Sequence, residues 1–275
     1  DNQKVDHGLV RHFNGEIDEG YRYILSLELD NTLLLPHQTG TKRPVYDQLK
    51  LECIGLVEKY HGRDLIQNEQ EDILGIFRTA EAALKCSLEI RSHILKRIGT
   101  RIFTSYRFKM GLCVGQPVTA ELGFFEEAMN FALILSNISK DSQITTSRFF
   151  SQLSGLNDSS SEKKGIRVID DPDGEFLIAL HGLIHKHLEE EQLNVDFLSQ
   201  ELGVSRAQLY RKSKFLTGLS PNHYIRDQRL SKSLNLLSQR TLNISDIALK
   251  VGFNNPSYFS KCFQKRYGVN PSKIN

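Results

Sequence analysis

The last third of the chain is written twice. Leu193-Asn194-Val195 returns as Leu242-Asn243-Ile244, and Gly203 returns as Gly252, each at a spacing of 49. Leu209, Gly218 and Pro221 return as Phe259, Gly268 and Pro271 at a spacing of 50. One residue has entered at the turn, and the rest of the unit is kept. Each copy reads as a short helix, a glycine turn and a second helix, which is the helix-turn-helix layout.

Helix punctuation in this region is dense. Asn194 and Asn243 stand where helix caps are needed, and Ser205 precedes Gln208 by three, the spacing of a capping box. Ser220-Pro221 and Asn255-Pro256 each put a cap residue before a proline at the first helical position. Gly203, Gly218, Gly252 and Gly268 sit where helices should stop, because glycine takes the left-handed conformation at little cost. A helix over residues 221–238 joins the copies. Phe197, Leu198, Leu202 and Leu209 face inward in the first copy; Ile247, Ala248, Val251, Phe259 and Phe263 do so in the second. The outward residues of the second helices are Arg206, Gln208, Arg211, Lys212 and Lys214, then Ser257, Lys261, Gln264, Lys265 and Arg266. Lys and Arg neutralise phosphates, while Arg and Gln near a helix start can read base edges. Two such helices held apart would meet successive major-groove faces, one turn or ~34 Å apart. A helical bundle with basic solvent faces is the simpler alternative. Repeat, caps and charge together weigh against it.

Charge divides the chain in the same place. Residues 174–275 hold 14 Lys/Arg against 8 Asp/Glu, a balance of +6, while residues 1–173 hold 21 against 25, a balance of −4. A basic module beside an acidic one points to nucleic acid at one end only. At 275 residues, 39% hydrophobic and 25% charged, two domains of an ordinary globular protein are expected. No run approaches the ~18 apolar residues of a membrane span. The four cysteines (Cys53, Cys86, Cys113 and Cys262) are far apart with no C-x-x-C pair. That argues against a zinc ribbon or disulfide framework and fits a reducing cytoplasm. The start, Asp1-Asn2-Gln3-Lys4, has neither an initiator Met nor a signal-peptide core, so an upstream segment is expected.

A polar stretch, residues 157–165, and then Asp170-Asp171-Pro172-Asp173-Gly174 read as a linker, with a short alternating run at residues 166–169 that fits a last strand. Before it, periods mix. Tyr21, Tyr23, Leu25, Leu27 and Leu29 alternate as in a half-buried strand; residues 73–77 and 108–114 read as strands, and 45–60, 79–96 and 126–137 as helices. This alternation indicates an α/β or α+β domain.

Leu-Thr-Gly-Leu-Ser-Pro (216–221), Arg229-Leu230, Ile-Ser-Asp-Ile-Ala-Leu-Lys-Val-Gly-Phe (244–253), Ser-Tyr-Phe-Ser-Lys-Cys-Phe (257–263), Tyr267-Gly268 and Pro271 form a distinctive series. By these motifs, residues 174–275 resemble the AraC/XylS-type DNA-binding domain of bacterial transcription regulators. The resemblance puts base-reading positions on Ala207, Tyr210 and Arg211 in the first unit and on Ser257, Ser260 and Lys261 in the second. With the residues read from the helices themselves, the expected DNA-contact set is Arg206, Ala207, Gln208, Tyr210, Arg211, Lys214, Asn255, Ser257, Ser260, Lys261 and Lys265. Ser213 stands where the family has an apolar residue, and Phe215 is expected to fill that space.

The region before it holds, in order, residues 61–77, the helix at 79–96, Lys-Met-Gly-Leu-Cys-Val-Gly-Gln (109–116), Ala-Met-Asn-Phe-Ala-Leu-Ile-Leu (128–135) and Ser-Gln-Ile-Thr-Thr-Ser (142–147). Through these pieces, residues 20–150 resemble class III nucleotide cyclases. The resemblance implies a metal position at Glu71 and a ribose-positioning Asn130. The second metal position has no clean match, with Glu28 and Asp30 nearest. Gln67 replaces the purine-reading Lys, Glu126 replaces a Gly, and Ile134 stands where the family has a transition-state Arg. An apolar side chain cannot stabilise developing phosphate charge, so a non-catalytic domain is expected. Glu71, Asp72 and Asn130 remain the expected ligand-cleft residues.

His181 and His185, four apart with Glu189 a further turn on, could hold a divalent metal, but three partly solvated helix residues are the simpler account. His61-Gly62-Arg63-Asp64 is read as a turn beside a helix. No G-x-S-x-G, P-loop or H-E-x-x-H motif occurs. The expected fold is α+β: a cyclase-like, ferredoxin-like α/β sandwich over 1–156, a linker over 157–173 and an all-α double helix-turn-helix over 174–275. The expected function is a cytoplasmic, sequence-specific transcription regulator. Double-stranded DNA is its partner, a homodimer its state, and a small molecule or nucleotide its ligand class in the first domain. No metal, membrane contact or resident cofactor is expected. Two alternatives stand beside it: a DNA-tethered nucleotide cyclase, and a regulator whose first domain only dimerises.

Overall fold

In the computed structural model, which describes residues 20–29, 39–65, 73–97, 107–115, 126–156 and 165–274, the first alternating run becomes β1 (Arg22–Leu29). It is not half-buried, as alternation alone predicts: Ile24, Leu25, Ser26 and Leu27 are all fully buried. The reason is position. The sheet order is β2-β3-β1-β4-β5-β6, with β1 antiparallel to both β3 (Ile73–Phe77) and β4 (Phe108–Gly115). β2 (Arg63–Leu65) pairs antiparallel with β3, while β5 (Ile144–Ser147) and β6 (Ile166–Ile169) extend the far edge in parallel. Helices α1 (Thr39–Lys59) and α2 (Ala80–Arg97) follow β1 and β3 in sequence; α3 (Glu126–Ile138) and α4 (Arg148–Leu153) follow β4 and β5. The β1-α1-β2-β3-α2-β4 order with β1 between β3 and β4 is the ferredoxin-like split β-α-β arrangement, and it bears out the expected fold class.

Helices cover β1 from both sides. Register sets Ile24 opposite Cys113 and Ser26 opposite Gly111, and this face meets α3: Cys113 Sγ lies 3.0 Å from the Ala128 carbonyl. On the other face, a Cβ at Gly75 would lie 3.3 Å from the Val57 side chain of α1. α3 approaches so closely that a Cβ at Gly111 would lie 2.1 Å from Ala132 O and 2.5 Å from Ser136 N. Only glycine permits this spacing. α1 ends in the expected turn, with His61 left-handed (φ 57°) and Gly62 N–H donating to Val57 O at 2.9 Å.

The described residues form two compact units that divide at Asp171/Pro172, with the first turns of α1, up to Tyr46, counted with the second. The division at Asp171/Pro172 falls inside the span read as a linker, and β6 makes residues 166–169 part of the sheet. The second unit is helical: α5 (Asp171–Lys186), α6 (Val195–Glu201), α7 (Arg206–Thr217), α8 (Pro221–Gln239), α9 (Ile244–Lys250), α10 (Pro256–Tyr267) and a 3-10 turn (Pro271–Lys273). The caps are as the sequence marks them. Asn194 Oδ1 accepts from Asp196 N and Phe197 N at 2.9 and 3.0 Å, and Asn243 Oδ1 from Asp246 N at 2.9 Å. Ser205 and Gln208 close a full capping box. Ser220 is the exception: its hydroxyl turns to His223 Nδ1 at 2.7 Å instead of capping α8. Gly203, Gly218, Gly252 and Gly268 all have positive φ.

Ser213 and Phe215 correct an expectation. Phe215 does not fill the space beside Ser213; it is 73% exposed. Ser213 is fully buried, and its hydroxyl donates to Leu219 O at 2.9 Å. A hydrogen bond replaces the apolar contact. The second copy keeps an aromatic there, Phe263, inside a cluster with Phe253, Phe259 and Tyr267.

Three substitutions test these packings by chemical unfolding. Gly111→Ala should cost about 1–3 kcal/mol, since no small shift clears two backbone atoms. Gly252→Ala should cost about 1–3 kcal/mol, because its Cβ would also meet Leu188 O at 2.5 Å. Gly218→Ala, strained at φ 75° but facing open space, should cost only about 1 kcal/mol.

Candidate nucleic-acid interface

Each helix-turn-helix is built by the same local rules. The short helices α6 and α9 end at Gly203 and Gly252, and the chain re-enters helix under the caps Ser205 and Asn255. Leu209 and Phe259 bury completely, which fixes the roll of α7 and α10 and turns the polar residues outward. Phe197 and Leu202, read as inward, are only half-buried.

The expected contact residues share an exposed face but differ in what they already bind. Ala207, Tyr210, Arg211 and Lys214 are exposed on α7, and Ser257, Lys261 and Lys265 on α10. Arg211, Lys214, Lys261 and Lys265 have no ion pair among the described residues. Arg206 pairs with Asp196. Gln208 Oε1 accepts from Ser205 N at 3.0 Å, and Asn255 Oδ1 from Tyr258 N at 2.9 Å. Ser260 donates back to Pro256 O at 3.0 Å. The first turns of both helices are therefore partly engaged by their own fold.

Sequence reading missed what flanks α10. A groove of about 470 Å³ between α8 and α10 is lined by His223 and Arg226 on one side and by Tyr258, Lys261 and Lys265 on the other. Arg226 Nη1 donates to Tyr258 Oη at 3.2 Å. Arg226 lies three residues after His223 on one helix face, and that spacing was the available signal. The pairing of the two helices was not.

Of the first-domain residues, Asp30, Gln67, Glu71 and Asp72 lie outside the described residues. Asn130 and Glu126 are exposed on α3. Glu28 Oε2 lies 3.8 Å from Lys109 Nζ, its cross-strand neighbour. Ile134 is 2% exposed and packed in the core. All four cysteines are free thiols, and burial pushes Cys53 and Cys86 up to about 12, so neither is a ready nucleophile.

His181 and His185 stack on α5, with ring centroids 4.1 Å apart. Among the described residues no group of three or more His, Cys, Asp or Glu is arranged to hold a metal. Burial, and then the neighbouring His185, push His181 down to about 3; burial also lowers His185, against a hydrogen bond to Gln228 that raises it. His181 folds neutral, whereas the unfolded chain protonates it near the ordinary value of 6.5. Its contribution is complete above that value and is lost as pH falls from there toward about 3. Thermal unfolding should thus be flat above pH 7 and lose midpoint temperature below about pH 6.5. His181→Gln should flatten part of that decline.

Among the described residues no helix is long and apolar enough to cross a membrane. A protein family described as "Helix-turn-helix domain" matches residues 198–275. The chain is 41% identical over 106 residues to Histidine kinase P4 of Formosa agariphila, covering 38% of this chain and 8% of that protein. It is 36% identical over 93 residues to the HTH-type transcriptional regulator MtrA of Neisseria gonorrhoeae, covering 33% and 31%. The chain thus spans less than a third of either curated relative. A solved adenylate/guanylate cyclase/hydrolase from Silicibacter pomeroyi is similar at TM-score 0.41 and 22% identity, over 49% of this chain and 79% of that one. At that score the likeness adds nothing to what the strand order already shows.

Proposed function

We propose that the chain is a sequence-specific transcription regulator of AraC type, whose two recognition helices, α7 and α10, meet double-stranded DNA; the helix-turn-helix family match over residues 198–275 supports this reading. The observation that carries this reading is the pair of exposed helices bearing Arg211, Lys214, Lys261 and Lys265, all without an ion pair among the described residues. Cations without protein partners supply salt-dependent phosphate affinity, and the side chains around them supply sequence choice. Arg211→Ala and Lys261→Ala should each cost about 1–3 kcal/mol on a duplex that the chain selects from a random pool, measured by fluorescence anisotropy. Equal losses on selected and random duplexes would reduce both residues to phosphate contacts.

The first unit is read as a non-catalytic regulatory and dimerisation module. Ile134 supports this: an apolar side chain buried at that place offers no charge to a transferring phosphate. A homodimer would set half-site spacing and raise effective concentration on DNA. Asn130, exposed on α3, is the described residue assigned to ligand binding. Thermal unfolding with ATP, GTP, cyclic AMP and cyclic GMP, each with and without manganese, tests this. A ligand at ~100 times its dissociation constant adds about 2.7 kcal/mol. The expected result is a shift with one nucleotide that Asn130→Ala abolishes and that leaves the nucleotide unchanged. A shift that survives Asn130→Ala sinks the site assignment. No shift with any of them favours a dimerisation role, or a sensor for an unrelated ligand.

A further inference from the structure

The groove between α8 and α10 holds more positive charge than a recognition helix alone brings. Arg226 reaches it from α8, Lys261 and Lys265 from α10. Asp227 is the one carboxylate among its lining residues, and Arg266 neutralises it through an ion pair and a 2.6 Å bond to its backbone carbonyl. Arg226, Lys261 and Lys265 are left without an ion pair among the described residues. Arg226 is nevertheless held, since it donates to Tyr258 Oη. That hydroxyl accepts from Arg226 and so keeps its own hydrogen for an outside acceptor. The floor includes Leu219 and Leu230, which strengthens the field of cations above it.

Position by position, the first helix-turn-helix has Arg211 for Lys261 but Phe215 where Lys265 stands, and Lys212, fifty residues before Cys262, pairs with Asp173 at 3.3 Å and lies over the Phe176 ring at 4.8 Å. Duplication therefore accounts for the charge of Lys261 and not for that of Lys265. What suits three cations and a phenol hydroxyl across an open groove is an oxyanion on an extended backbone. A guanidinium matches a phosphate diester in particular, by paired N–H donors.

We propose that this groove seats a backbone phosphate of the duplex that α10 enters, with Arg226 of the joining helix as its main ligand and Tyr258 as the residue that positions Arg226. The inference rests on the reading of α10 as a DNA-recognition helix. Continuity favours DNA over an acidic protein: Lys261 lies both on the outward face of α10 and in the groove. A helix lying in a major groove turns its flank to the sugar-phosphate strand beside it.

The test is anisotropy of the full chain on a duplex selected from a random pool and on a scrambled duplex, each across a salt series. Arg226→Ala should weaken both duplexes by the same factor and flatten the slope of log affinity against log salt by about 0.9, the value of one phosphate contact. Arg226→Lys should keep the slope. Tyr258→Phe should weaken binding while leaving the slope unchanged, which a lost charge would not do. Melting curves accompany each variant, and should Arg226→Ala unfold, the comparison of Arg226→Lys with Arg226→Gln carries the same reading. An unchanged slope with Arg226→Ala, while Arg211→Ala still loses sequence preference, overturns the groove and leaves the regulator reading intact. Unchanged DNA binding with reduced output in a purified transcription assay assigns the groove to an acidic protein surface and also overturns it. A wild-type chain that binds no duplex defeats the regulator reading first, and the groove with it.

Discussion

One guanidinium holds the helical unit together. Arg229 on α8 donates to Leu188 O at 2.9 Å and to Glu190 O at 2.8 Å, tying the chain that leaves α5 to the helix that joins the two repeats. The same side chain lies against Gly252, at the turn of the second helix-turn-helix, where even a methyl group would collide with it. Segments before, between and within the repeats thus meet at one charged group, which satisfies carbonyls that no helix could pair. Burial lowers its affinity for a proton, yet a guanidinium stays charged, so the bonds are charge-assisted throughout the accessible pH range. Beside this junction α10 is tied to α8 by Arg226 on Tyr258 and by Arg266 on Asp227, which together shape the groove.

What the sequence disclosed follows from the range of the forces involved. Caps and terminal glycines act over three or four residues, so Asn194, Ser205, Asn243, Asn255 and the four turn glycines could be read directly, and all sit where they were expected. The strand-helix order of the first unit was legible for the same reason, because each element is signalled by its own periodicity. Burial of β1 was not. Alternation records the chemistry of one strand, whereas Ile24 and Ser26 are covered by α3, a helix a hundred residues away. Ser213 misled similarly: its partner is the Leu219 carbonyl beyond a turn, and no volume argument anticipates a hydrogen bond. Arg226 escaped notice because Tyr258, which gives it a place, lies on another helix.

The two recognition helices are also unequally committed to their own scaffold. At the start of α7 the Arg206 and Gln208 side chains are bound to Asp196 and Ser205, so what it offers outward begins near Tyr210 and Arg211. α10 spends Asn255 and Ser260 on its first turn but keeps a line of lysines, with Arg226 alongside. Rigid caps pre-organise both helices, and that lowers the entropy cost of docking. The same caps remove polar groups from the set available to a partner.

Ser213 has a kinetic consequence. Ring follows ring through the second repeat, from Phe253 to Phe259 at 5.2 Å, then Phe263, then Tyr267 at 4.5 Å. The first repeat buries Leu198, Leu209 and Leu216, and has the buried hydroxyl of Ser213 where the second has Phe263. Less apolar surface closes it, so its amides should open to solvent exchange in a cheaper, separate fluctuation, while those of α10 wait for the whole unit to unfold. A duplicated sequence has become a graded one, with one half able to breathe while the other keeps its form.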